Sequence, residues 1–184
     1  MEENFSVSLQ AILQYEGGFV NHPQDPGGAT NKGITLTTFR EAMKNQRLGV
    51  EDLKKITVSQ VEKIYKASYW SKCRCDELPS GVDLVVFDQA VNSGVKRSVQ
   101  WLQTIVKVPA DGIIGSYTLE AVPRMATDDI INQLCDLRLS FLRYVRNGSL
   151  WLTFGRGWQA RVDDVRERAL KLHALNLSEE QGDA

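Results

Sequence analysis

The stretch from Phe19 to Thr35 constrains the fold of this chain more than any other. FVNHPQDPGGATNKGIT holds two prolines, three glycines, two asparagines and an aspartate in 17 residues, a density that stops helix propagation and favours turns with one or two short strands. On both sides of it the apolar residues recur at helical spacing. The chain therefore reads as mainly α, with a small β-hairpin region near residues 19–35 and a helical C-terminal subdomain.

The helical signals have readable ends. A first helix is expected from about Ser6 to Glu16, stopped by Gly17-Gly18, because glycine just past a helix end adopts the left-handed cap cheaply. Thr38 with Glu41, and Thr57 with Gln60, form capping-box spacings for helices beginning FREAMKN and VSQVEKIYKASYW. In the second of these, Val61, Ile64, Tyr65 and Ser68 form the inward stripe. Ser80 and Asp83 open GVDLVVFDQAV, which is apolar nearly all round and so belongs at the centre, and Asn92-Ser93-Gly94 closes it. A short helix near Ser98 to Val106, the loop VPADGIIGSYT, and helices at about Asp128 to Arg146 and Trp158 to Leu175 follow. Domain boundaries are expected at 1–95, 96–177 and a disordered tail at 178–184.

Glu16 is the anomaly in this pattern. At ~100° per residue Phe5, Leu9, Ile12 and Leu13 fall within one arc, and Glu16 lands in its middle. An apolar face strips water from a carboxylate and a helix C-terminus presents partial negative charge, and both favour the protonated acid. A carboxylic acid that keeps its proton near neutral pH suits glycoside hydrolysis, where the leaving oxygen must be protonated. Periodicity alone favours a plainer role, a helix-end residue that turns outward or pairs with an arginine such as Arg138. Asp25 and Thr30 follow after a turn that folds the chain back toward the helix end, so either can supply a second polar group; Asp25-Pro26-Gly27-Gly28 is also an ordinary turn.

Composition excludes several classes. Lys plus Arg number 22 against 23 Asp plus Glu, so no global basic field calls for nucleic acid. The N-terminus MEENFSVSLQ matches no signal peptide, and no run is long and apolar enough to span a membrane. The cysteines, Cys73, Cys75 and Cys135, are read as reduced thiols rather than metal ligands. His22 and His173 suggest neither a metal pair nor a nucleophile triad, and no phosphate-cradling motif is present. No cofactor is expected, and the chain is read as a monomer.

The remaining candidates carry two readings each. Asp88 and Asn92, four apart, share a helical face; Asn92 can meet an N-acetyl group with a donor and an acceptor, or cap its helix, while Asp88 can hydrogen-bond within the buried helix. Tyr69 and Trp70 end their helix with two aromatics that suit sugar rings or a core. Trp101, Trp151 and Trp158 are read as core, although the glycine-punctuated WLTFGRGW could form a surface aromatic shelf.

EGGFVNHPQDPGGATNKGIT resembles the N-terminal signature of family 108 glycoside hydrolases, the N-acetylmuramidase group that includes secretion-linked muramidases. FDQAVNSGV is similar to a second block of that family, and SVQWLQTIVKVPADGIIGSYTLEAV to the start of its peptidoglycan-binding region. Phe19 stands where members often carry Tyr, and Ser116 where related binding modules have Pro. The resemblance implies a lysozyme-like fold that cleaves the β-1,4 bond between N-acetylmuramic acid and N-acetylglucosamine, with Glu16 as general acid. By weaker analogy with phage-type lysozymes, Asp25 and Thr30 hold or activate the attacking water. Peptidoglycan glycan strands and stem peptides are the implied partners, reached in the periplasm by unconventional export. Host lysis, lytic transglycosylation and non-catalytic binding are the alternative readings.

Overall fold

A computed structural model of the chain describes residues 4–21 and 28–182. The backbone forms two compact units, one spanning Leu9–Ser68 and the other combining the N-terminal residues up to Ser8 with everything from Tyr69 onward. The geometric division differs from the boundary expected at residue 95, because the helices on either side of Gly94 pack on each other within the larger unit.

In the smaller unit, α1 (Asn4–Leu13, whose first half belongs to the larger unit) ends three residues earlier than the apolar pattern suggests. Glu16 therefore lies in the bend beyond it. β1 (Thr30–Asn31) and β2 (Ile34–Thr35) pair antiparallel with Asn31 opposite Ile34, leaving Lys32-Gly33 as a two-residue turn. Positive φ at both Lys32 (49°) and Gly33 (73°) matches the mirror-image turn whose twist suits a hairpin. Val20 extends this ladder, exchanging 2.8 Å hydrogen bonds with Thr30 in both directions.

α2 (Leu36–Ala42) begins earlier than Thr38, since Thr35 is its cap and accepts the Thr38 N–H at 3.1 Å. α3 (Val50–Lys54) follows. α4 (Val58–Tyr65) starts on the expected box: Thr57 Oγ1 accepts the Gln60 N–H at 3.2 Å and Gln60 Oε1 accepts the Thr57 N–H at 2.9 Å. Val61, Ile64 and Tyr65 are buried as the stripe requires, while Ser68 is half-buried.

The larger unit centres on α5 (Val82–Ser93), whose residues Val82 to Ala90 are all buried. Ser80 does not cap it. The Asp83 carboxylate accepts the N–H groups of Gly81 (2.8 Å) and Leu84 (2.7 Å) instead, and the Asn4 amide donates to it at 2.7 Å. Burial pushes the Asp83 carboxyl up to about 6 against the pull of those hydrogen bonds. Gly94, at φ 88°, closes α5 and leads directly into α6 (Val95–Ile105). α7 (Ser116–Ala121) starts inside the expected loop.

α8 (Thr127–Tyr144) and α9 (Trp151–Gly182) pack together. Arg166 reaches back to Asp136 and His173 lies nearest Asp128, so the pair runs antiparallel. α9 begins seven residues before Trp158 and carries residues 178–182 as helix, where a disordered tail was expected. No proline interrupts this stretch, so nothing stops the helix. No helix among the described residues is long and apolar enough to cross a membrane.

Candidate active site

Glu16 is half-buried and sits against the hairpin turn. A Cβ placed on Gly33 would fall 2.7 Å from Glu16 Oε2 and 2.5 Å from Tyr65 Oη, so the carboxylate and the phenol converge over one glycine that is itself exposed. Three ties fix this arrangement. The Lys32 N–H donates to the Gly17 carbonyl at 3.1 Å, pinning the residue after Glu16 onto the turn. The Tyr65 hydroxyl, buried at the end of α4, donates to the Lys32 carbonyl at 2.9 Å and so holds the turn from beneath. The Asn31 amide donates to the carbonyls of Leu53 (2.9 Å) and Lys54 (3.3 Å), satisfying the end of α3 and locking β1 to it. The result is a carboxylate at an exposed turn backed by hydrogen bonds to α3 and α4, an arrangement that suits proton transfer to a bound ligand.

The other candidates fall in different places. Thr30 is half-buried on β1, with its hydroxyl 3.4 Å from the Gly28 carbonyl. Asp25 lies outside the described residues. Tyr69 is half-buried. Asn92 is exposed at the end of α5 and its amide donates to the Asp88 carbonyl at 3.1 Å, a helix-capping contact that leaves its oxygen available.

Asp88 and Trp70 need correction as glycan contacts, because neither has any exposed surface. Asp88 Oδ1 accepts from Arg161 Nε (3.0 Å) and Nη2 (2.7 Å), and Oδ2 accepts from Arg138 Nη1. Its carboxylate thus joins α5, α8 and α9 inside the larger unit, and Arg138, once a possible partner for Glu16, is committed here. Trp70 stands edge-on to Phe5 (5.4 Å between centroids) and Phe87 (5.2 Å), and its indole N–H donates to Asp76 Oδ1 at 2.7 Å. Both requirements of a buried tryptophan, apolar packing and a partner for the N–H, are met without a sugar.

Sequence reasoning missed Tyr65 and Gly33 as neighbours of Glu16. The signals were present: Asn-Lys-Gly between short β segments marks a two-residue hairpin, and a tyrosine on an inward helical stripe must find a hydroxyl partner. Among the described residues no cluster of His, Cys, Asp and Glu could hold a metal ion. The three cysteines are free and buried.

Comparison with known proteins bears directly on this geometry. The sequence profile described as Glycosyl hydrolase 108 matches residues 9–94, which contain Glu16, the hairpin and α5. A solved structure described as that of Brucella abortus SagA is 42% identical, covers 94% of this chain and 97% of that one, and superposes with a TM-score of 0.81. The chain belongs to glycosyl hydrolase family 108. Comparison with curated proteins finds no match. As a family 108 member the protein is a glycoside hydrolase with a glycan substrate, and its mainly helical build with one small antiparallel hairpin is lysozyme-like.

Proposed function

We propose that this family 108 glycoside hydrolase is an N-acetylmuramidase that cleaves the β-1,4 bond between N-acetylmuramic acid and N-acetylglucosamine in peptidoglycan, with Glu16 as the general acid. The observation that carries this reading is the half-buried Glu16 carboxylate held beside the exposed Gly33 within the matched region. As the glycosidic bond breaks, the proton of Glu16 passes to the leaving oxygen, which departs as a neutral alcohol; water then adds to the sugar carbon and gives up a proton to a carboxylate base. Asp25 is the first candidate to orient or activate that water, and Thr30 the second. The distance between the two carboxyl groups decides the stereochemistry, roughly 5 Å for retention and about 6.5–9.5 Å for inversion.

The biological role we infer is opening of the wall in the periplasm for protein secretion, supported by the resemblance of EGGFVNHPQDPGGATNKGIT to secretion-linked muramidases. Purified peptidoglycan digested with wild type and with Glu16→Gln, read by mass spectrometry, tests the chemistry. Muropeptides with a reducing N-acetylmuramic acid end from wild type alone are expected, with unchanged circular dichroism in the variant. Anhydro-muropeptides would replace the hydrolase by a lytic transglycosylase, and an unfolded Glu16→Gln would make Glu16 a structural residue.

A further inference from the structure

The start of α9 carries an aromatic surface that the site around Glu16 does not use. Trp151, Phe154 and Trp158 fall on one face of that helix, with ring centroids 6.4 Å apart for the two tryptophans and 5.8 Å apart for Phe154 and Trp158. Phe154 is 51% exposed and both tryptophans are half-buried. Gly155 makes this arrangement possible: a Cβ there would lie 2.7 Å from Cδ2 and 2.8 Å from Cε2 of Trp151, so the indole lies flat across the helix where any larger residue would push it away. Glycine is a poor residue for a helix interior, and its presence here serves the placement of one ring.

The electrostatics of the same segment are one-sided. Between Asp136 and Asp163 the chain has five arginines and no acidic residue, although the whole protein has a net charge of −1. Arg138 and Arg161 are taken up by Asp88, but Arg143 is exposed, with its guanidinium stacked 5.5 Å from the Trp151 ring centre. Flat apolar faces bounded by a cation fit a ligand that offers sugar rings and carboxylates together.

We propose that Trp151, Phe154 and Trp158, with Arg143 at their edge, form a binding shelf for N-acetylmuramyl peptides, the rings stacking on sugar faces and the guanidinium pairing with a stem-peptide carboxylate. The shelf rests on the peptidoglycan reading for its occupant, and it belongs to the larger unit whereas Glu16 belongs to the smaller one.

The test uses the full chain, with a soluble disaccharide-tetrapeptide from peptidoglycan as probe and tryptophan fluorescence as readout, next to circular dichroism and the digest of whole peptidoglycan. Phe154→Ala is expected to weaken binding about tenfold. Gly155→Ala should do the same and shift the tryptophan emission. Arg143→Gln should weaken binding of the tetrapeptide ligand several-fold, leave a peptide-free N-acetylglucosamine oligomer unaffected, and remove most of the salt dependence. Variants that stay folded and bind as wild type, a wild type that binds no muropeptide, or displacement by a short single-stranded oligonucleotide would each overturn the shelf. Digestion with unaltered binding sinks the shelf and leaves the muramidase standing; tenfold losses without any digestion by wild type do the reverse.

Discussion

Replacing Gly33 with alanine tests whether the hairpin turn positions Glu16. The new Cβ would start 2.7 Å from Glu16 Oε2 and 2.5 Å from Tyr65 Oη, whereas ordinary contact begins at 3.4 Å. Tyr65 is buried and tied to the Lys32 carbonyl, so the turn itself must shift away from its hydroxyl, and Glu16 Oε2 must give by about 0.7 Å as well. A misplacement near 1 Å can cost about a hundredfold in a positioned reaction, so turnover should fall roughly ten- to a hundredfold. A second effect is purely conformational: alanine at φ 73° costs about 1–2 kcal/mol, which lowers the melting temperature by roughly 2–8 °C in a chain of this size. Gly28→Ala isolates that effect, because Gly28 has φ 67° and, among the described residues, nothing within 4 Å of a new Cβ. Reducing-end release from peptidoglycan and thermal unfolding, measured on both variants, separate the two contributions. Wild-type turnover in Gly33→Ala, with a melting temperature equal to that of Gly28→Ala, would refute the argument that the turn holds the carboxylate in place.

Other outcomes follow from the larger unit. Because burial holds Asp83 protonated up to about 6, the folded state binds more protons than the unfolded chain between about pH 4 and 6; stability should therefore fall by about 3 kcal/mol across that window and level off above it, and urea titrations of Asp83→Asn should show a flatter profile. Asp88→Ala leaves two guanidiniums buried without their carboxylate and should destabilise by roughly 3–5 kcal/mol in urea unfolding; a fully stable variant that loses glycan binding would restore Asp88 to the substrate site. Burial pushes the Cys75 thiol upward and that of Cys135 to about 12, so a chromogenic disulfide reagent at pH 8 should find no reactive thiol in the native protein and all three once denaturant is added; a fast-reacting native thiol would contradict the packing.

Features set by neighbours in sequence were legible. The Thr57-Gln60 box depends on groups three residues apart, and the hairpin region on the density of proline, glycine and asparagine between residues 19 and 35. The α2 cap misled because Thr35 and Thr38 present the same hydroxyl, and their choice depends on where β2 releases the chain. The start of α9 was hidden by Gly155 and Gly157, which read as loop until the ring of Trp151 is seen lying over the first of them. Glu16 was singled out by its place on the apolar arc, although the helix stops short of it.

What the sequence by itself determined is the helical character of the chain, the hairpin that interrupts it and the motif that marks its family, since each rests on patterns spanning a few residues or on a long contiguous match. The tertiary structure decided which polar side chains are buried and paired and which lie near the surface. Asp88 finds its arginines 50 and 73 residues away, and Tyr65 meets a carbonyl 33 residues upstream. A carboxylate neutralised in the core and one offered at a turn have the same local sequence signature, a charge on an apolar helical stripe; long-range packing separates the structural Asp88 from the candidate acid Glu16.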